Sequence, residues 1–306
     1  MRFRRTAVFA LLITSMQALA AGSPIKAAVY LAELQTEKLY RVAFNWDGQG
    51  TLSVATPELI VTTGNGGGVR FAGNRVYVTG AGVVSQVDLR TRQLSTVQSL
   101  NNANACALDP TGTNLYCGWR SGLSRVPLQP FANGTLLPLS GADTDLTIVA
   151  FTPSGEAYYT TGTEAFNGDF GRLDLNTNST VRLQSAAFAT GLAWDDFSQK
   201  LLIAGLGRAR LVDPVAPGVI ASQRDDSGAG ENYLSLTPTG RGHALGTLCC
   251  LNEARLVLVD YSASGDLSSV QTLIASVTVP GLSMLSGEAA FDSDRMFDGG
   301  FEDGEF

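Results

Sequence analysis

Oxygen-bearing side chains recur at Asn104, Glu231, Asn232 and Glu288, each just upstream of a short apolar run. Carboxylate and amide oxygens converging from separate segments suit a hard cation such as Ca²⁺, which takes six to eight oxygens. The same composition also hydrates a polar channel mouth with no ion bound. A second group, Trp119, Arg120, Glu164, Asn167 and Asp169, combines aromatic, guanidinium, amide and acid groups in polar connecting stretches. Loops of that composition are what binding faces use. The chain's single histidine, His243, stands in an apolar run. It reads as a buried, hydrogen-bonded residue, which disfavours mechanisms that need a histidine general base. No Gly-x-Ser-x-Gly elbow occurs. Gly64-Asn65-Gly66-Gly67-Gly68 precedes an apolar extended run, whereas a phosphate-binding loop opens a helix.

The four cysteines fall into two pairs. Cys106 and Cys117 flank Asp109-Pro110-Thr111-Gly112-Thr113-Asn114 symmetrically, so a hairpin would set them opposite each other and allow a cross-strand disulfide. Cys249 and Cys250 are adjacent and are either a strained vicinal disulfide or two thiols. No cysteine spacing matches a zinc site.

Disulfides need an oxidising compartment, and the start of the chain supplies a route to one. Arg2, Arg4 and Arg5 precede the apolar run Ala7–Ile13, and the segment closes on Ala18-Leu19-Ala20. That is the pattern of a secretory leader over residues 1–20, and the expected location is periplasmic or secreted. The full chain carries a net charge of −7; without the three arginines 18 basic residues face 28 acidic ones, a charge of −10. Such a balance argues against nucleic acid as a partner. No later stretch is long and apolar enough to span a bilayer. The expected partner is a protein or a small-molecule ligand.

The elements that position these residues repeat along the chain. Val76-Tyr77-Val78, Leu115-Tyr116-Cys117, Ala157-Tyr158-Tyr159, Leu201-Leu202-Ile203 and His243-Ala244-Leu245 have central residues 39, 42, 44 and 42 apart. Before each lies a large-small-large run ending on Phe71, Leu108, Phe151, Trp194 and Leu236. Period-two alternation marks strands. After each anchor comes a third strand, several closing on an acid (Asp88, Asp174, Asp260), and then a weaker outer strand such as Leu94–Leu100 or Val270–Ile274. Four strands per unit at a period near 42 is the signature of a β-propeller blade. The N-terminus has a second strand at Ala28–Leu31 and a third at Lys38–Phe44 with no first strand before them. Glu288–Asp292 matches the missing one. The expected fold is all-β: six four-stranded blades closed by pairing of the chain's two ends, or seven if two poor repeats are merged. The propeller domain is expected over 21–295, followed by an acidic, Gly-rich tail at 296–306.

Val76-Tyr77-Val78-Thr79-Gly80 resembles the Tyr-Val-Thr-Asn repeat of bacterial exported propellers. Asp109-Pro110-Thr111-Gly112 and Thr152-Pro153-Ser154-Gly155 resemble the turn that precedes it. That superfamily includes lactonase-like enzymes and many non-enzymatic binding proteins. Ser286–Asp292 is faintly similar to the first Glu-bearing strand of sugar-lactone hydrolase propellers, which hold a metal with Glu and Asn side chains; the Glu-Gly-Pro core of that strand is absent. Two functions follow as expectations. One is an exported, non-catalytic propeller that binds a ligand or protein on its loop face. The other is a metal-dependent, lactonase-like hydrolase with Glu288, Asn104, Asn232 and Glu231 around Ca²⁺ in the channel.

Overall fold

A computed structural model describes residues 22–100, 105–118, 122–162, 168–185, 189, 191–216, 219–226, 235–248, 253–283 and 285–291. The chain opens with β1 (Ile25–Glu33), β2 (Lys38–Trp46), β3 (Leu52–Val54) and β4 (Glu58–Thr62). The second sheet is β5 (Val69–Ala72), β6 (Arg75–Gly80), β7 (Val83–Asp88) and β8 (Leu94–Gln98). The third is β9 (Ala105–Leu108), β10 (Asn114–Gly118), β11 (Leu123–Pro127) and β12 (Thr135–Leu136). After β13 (Ser140–Gly141) the fourth runs β14 (Ile148–Phe151), β15 (Ala157–Thr160), β16 (Phe170–Asp174) and β17 (Ser179–Gln184), with β13 added beside β17 in parallel. The fifth is β18 (Gly191–Asp195), β19 (Lys200–Gly205), β20 (Arg208–Val212) and β21 (Ile220–Asp225). The sixth is β22 (Thr237–Pro238), β23 (His243–Thr247), β24 (Arg255–Asp260) and β25 (Leu273–Thr278).

The final strand, β26 (Leu285–Phe291), returns to the first sheet and pairs antiparallel with β1, Val29 opposite Phe291 and Tyr30 opposite Ala290. The composite blade is therefore present and the propeller has six blades. The inner strands neighbour one another in the order β26, β5, β9, β14, β18, β22 and back to β26, so the ring is closed. Among the described residues no helix is long and apolar enough to cross a membrane.

Burial explains why some strands are plain in the sequence and others faint. Second strands lie between two neighbouring blades and are covered on both faces. β10, β15, β19 and β23 are buried along nearly their whole length, and strands covered on both faces read as continuous apolar runs. Outer strands such as β8 and β21 are mostly exposed and carry little pattern.

Two expected strands are displaced. The outer strand of the sixth blade is Leu273–Thr278 rather than Val270–Ile274. Asp266 accepts Ser268 N (2.8 Å), and Thr272 Oγ1 donates to Asp266 O (2.5 Å), which fixes the preceding residues as a turn with Val270 exposed. In the same blade Leu236 is not the residue paired opposite the anchor. Thr239 N donates to His243 O (2.9 Å), and Gly240 and Gly242, both with φ near +80°, close a hairpin that puts Thr239 rather than Leu236 opposite the start of the anchor. Leu236 still does the expected packing, buried in one cluster with Leu202 of the fifth blade.

The acids that end the third strands share one task. Asp47, Asp88, Asp174, Asp213 and Asp260 each accept the backbone N–H of the residue two positions on, at 2.7–3.0 Å. These side chains turn the chain toward the outer strand.

Candidate functional site

The inner strands are built on one register rule. Opposite the central residue of each second strand stands a specific inner-strand residue: Ala290 faces Tyr30, Ala107 faces Tyr116, Ala150 faces Tyr158, Ala193 faces Leu202 and Pro238 faces Ala244. Small residues there leave room for the aromatic rings to reach the next blade. Tyr30 stacks on Phe71 (centroids 5.7 Å apart, interplanar angle 7°), and Tyr116 meets Phe151 (5.3 Å). Tyr158 and Trp194 join one cluster in the same way. The second blade departs from the rule, because Arg70 stands opposite Tyr77.

Around the axis these inner strands leave a cavity of about 350 Å³. Its wall includes Arg70, Phe71, Leu108, Phe151 and Trp194, with Ala107, Ala150, Ala193 and Ala290 between them. The sixth blade contributes Ser235, Thr237 and Thr239. The cavity extends to the hairpin turns between first and second strands, where Asp196 and Gly240 line it. Arg70 is half-buried and its Nη1 donates to Val69 O (3.0 Å). Trp194 Nε1 donates to Asp196 Oδ1 (2.8 Å), and Gln199 Nε2 donates to Asp196 O (2.7 Å), so the indole and the carboxylate are held in one orientation. The neighbouring Asp195 is buried and accepts Phe197 N, Ser198 N and Ser198 Oγ, which builds the turn that presents Asp196.

The expected loop-face group is placed in part. Trp119, Arg120, Glu164 and Asn167 lie outside the described residues. Asp169 is described and is engaged. Its Oδ2 is 3.0 Å from Arg182 Nε, and Arg182 also pairs with Asp143. Asp143 accepts Tyr159 Oη–H (2.6 Å), and burial together with the Asp143 carboxylate pushes the Tyr159 hydroxyl well above an ordinary phenol. The Tyr159 ring lies over Gly171, where a Cβ would stand 2.2 Å from Cζ. Asp169 thus belongs to an ion-pair cluster that ties the start of β16 to β17 and to the segment after β13. Thr161 N donates to Asp169 O, and Asp169 N to Thr161 Oγ1.

Of the expected cation ligands, Asn104, Glu231 and Asn232 lie outside the described residues. Glu288 falls within β26, with its side chain outside the description. Among the described residues no group of three or more His, Cys, Asp or Glu side chains is arranged to hold a metal ion. Cys106 and Cys117 stand directly opposite each other on β9 and β10 and form a disulfide, with a Cα–Cα distance of 4.0 Å. Cys249 and Cys250 lie outside the described residues.

His243 is fully buried and does not line the cavity. Its Nε2 is 2.8 Å from Ser23 O; a carbonyl can only accept, so Nε2 carries the proton. Nε2 is also 3.4 Å from Asp260 Oδ2. Asp260 accepts Trp46 Nε1 (2.6 Å) on Oδ2, and Ser262 N (2.9 Å) and Ser262 Oγ (2.6 Å) on Oδ1. This network joins the sixth blade to the first, and the histidine in it is structural.

The chain is similar in fold to several solved structures. One is from the crystal structure of a nidogen/laminin complex, 14% identical, matched over 87% of this chain and 98% of that one with a TM-score of 0.66. Another is virginiamycin B lyase from Staphylococcus aureus, 8% identical over 84% and 88% of the two chains, TM-score 0.52. A third is regucalcin, a calcium-binding protein from Agrobacterium tumefaciens, 11% identical over 68% and 73%, TM-score 0.51. At these identities the likeness is one of fold. No protein-family model matches the chain, and no curated protein matches it in sequence.

Sequence reading passed over Arg70 and Asp196. Arg70 occupies the middle position of the run that ends on Phe71, which the large-small-large pattern assigns to a small residue. The signal was the exception itself, a charge at a position that the other blades fill with alanine or proline. Asp196 was hidden beside Asp195, whose role in the turn accounts for an acid at that place.

Proposed function

We propose that this chain is an exported, non-catalytic propeller that binds a ligand or protein partner, with the channel cavity as the seat for the ligand. The observation that carries the reading is the cavity on the axis, walled by Phe71, Leu108, Phe151 and Trp194 with a few polar groups, Arg70, Asp196 and Thr239 among them. Concave, mostly apolar sites with a few fixed polar groups are where ligands bind. Export is supported by the leader-like residues 1–20, by the resemblance to exported Tyr-Val-Thr-Asn propellers and by the Cys106–Cys117 disulfide. Binding without turnover is supported by the commitment of His243 to the seam between blades.

The test is a thermal-shift screen of the purified protein against acids, sugars, peptides and lactones, repeated on Arg70→Gln and Trp194→Ala. A ligand that binds the folded state alone, at a hundred times its Kd, stabilises by about 2.7 kcal/mol. The expected result is compounds that raise the melting temperature of the wild type and lose that effect in both variants. The reading is overturned if no class of compound shifts the melt. Release of hydroxy acid from a lactone would replace it with a hydrolase.

A further inference from the structure

We infer that the ligand taken by this cavity is a small neutral aromatic compound with one or two hydroxyl groups, of the phenol or naphthol class, its ring among Phe71, Phe151 and Trp194 and its hydroxyl at Thr239. This rests on the proposal that the cavity is the binding seat. One register position changes character around the ring. Opposite Val76, Leu115, Ala157 and Leu201 the inner strands place Phe71, Leu108, Phe151 and Trp194. In the sixth blade the residue at that position, bonded to His243, is Thr239. All five line the cavity. Four large apolar side chains, three of them aromatic, are therefore completed by a single hydroxyl.

The hydroxyl side of the cavity is sheltered. Thr239 and Ser235 are each only 7% exposed, and both line it. Thr239 Oγ1 accepts Arg241 N (3.3 Å), which leaves the hydroxyl hydrogen to donate to a ligand oxygen. Neither charge in the wall is offered to a ligand. Asp196 is exposed on its hairpin and bonded to Trp194, and Arg70 donates to the backbone of its own strand. A charged ligand would have to break into those bonds after losing its own hydration. A sugar would set several hydroxyls against Phe71, Leu108 and Phe151, which cannot receive them. A flat apolar ring instead gains face and edge contacts with the aromatic residues, and one hydroxyl on its rim meets the polar side. At about 350 Å³ the cavity is near the lower end of ligand-site sizes, about 300–1,000 Å³, which suits one ring or two fused rings.

Isothermal titration of the full-length mature protein with 4-methylphenol and 2-naphthol tests this. The comparison compounds are toluene and naphthalene, which lack the hydroxyl, 4-hydroxybenzoate and tyramine, which add a charge, and glucose. At least one of the two phenols should bind one-to-one. Its hydroxyl-free counterpart should bind about fivefold more weakly or worse, the loss that accompanies one hydrogen bond. The charged phenols and glucose should also bind more weakly. Thr239→Val should erase the preference for the hydroxyl and leave toluene or naphthalene binding as before, whereas Trp194→Ala should weaken both members of each pair. Should either variant fail to fold, the compound series on the wild type decides alone. Equal binding with and without the hydroxyl would overturn the inference, as would tighter binding of either charged phenol or of glucose. So would no binding of either phenol at millimolar concentration while another compound from the thermal-shift screen binds; the binding seat would then stand with a different ligand. If no compound of any class binds, both proposals fall.

Discussion

Asp260 does at one position what its counterparts do and something they do not. Like Asp47, Asp88, Asp174 and Asp213 it caps the turn after a third strand, and in the sixth blade the same carboxylate also receives Trp46 across the seam and lies beside His243, its partner on the adjacent strand. Burial acts to raise its pKa, yet the hydrogen bonds from His243 and Ser262 outweigh burial and hold it below the usual carboxylate range. A carboxyl with a depressed folded-state pKa contributes stability that is fully present above its unfolded value, about 3.9, and lost as pH falls through the folded one. The wild type should therefore lose melting temperature steeply below about pH 4. Asp260→Asn should start lower at pH 7, by about 1–3 kcal/mol for the unpaired buried partners, and show a shallower acid limb. Melts from pH 7 to pH 2.5 that run parallel in the two proteins would remove Asp260 from this role. The structural part of this residue was half legible. An acid closing a third strand repeats along the sequence, and an apolar-flanked histidine suggests burial. His243 and Asp260 meet as direct partners on neighbouring strands, whereas the arrival of Trp46 from the far end of the chain is a product of ring closure and leaves no local trace.

Elements were legible in proportion to how completely they are covered. Second strands stood out because both faces are apolar, and the inner strands followed from their large-small-large alternation. Register was less visible than packing. Leu236 was recognisable as the residue that meets Leu202, but its place in the hairpin was not, since a hairpin that starts three residues later leaves the apolar pattern unchanged. The parallel addition of β13 to β17 had no signal, being two exposed residues whose pairing is made by the backbone. The β9–β10 hairpin was the best specified. Asp109 accepts Thr113 N (2.8 Å) and Asn114 Nδ2 (2.9 Å), Gly112 takes φ +68°, and the symmetry of that turn sets the cysteines opposite each other. Replacing both, Cys106→Ala with Cys117→Ala, should cost about 2–3 kcal/mol in the chain-entropy account, read as a lower midpoint in guanidinium melts. Equal midpoints for the oxidised wild type and the double variant would show that the bond adds nothing to the hairpin.

At the scale of the molecule the ring depends on β26. A chain ending at Ser283 would leave the inner edge of β1 without a partner beside the channel, with Ala27–Ala32 buried in the intact ring and uncovered along that edge. It should lose cooperative unfolding and self-associate, because an unpaired apolar edge invites pairing with another chain. A chain ending at Arg295 retains the strand and should melt as the full chain does. Size exclusion and calorimetry of the two truncations separate these outcomes. A shorter protein that stays monomeric with an unchanged melt would mean that closure is dispensable. The candidate site is a property of this same scale. Arg70 and Asp196 lie more than a hundred residues apart in sequence, and they share a cavity because the blade count sets them across the axis from each other.

The pairing of β1 with β26 also fixes a timetable. The first strand to emerge during synthesis or translocation must wait for the last one, with nearly the whole chain between them. The entropic cost of joining such distant segments rises only logarithmically with their separation, so the finished ring pays little for it. The delay is paid in time: five blades can assemble while the first still lacks its inner strand, and an apolar edge stands open throughout. If the chain is exported, as proposed, the ring can close only after its last strand has crossed as well. Such a chain has reason to travel unfolded, or in the keeping of a chaperone, and to close at its destination.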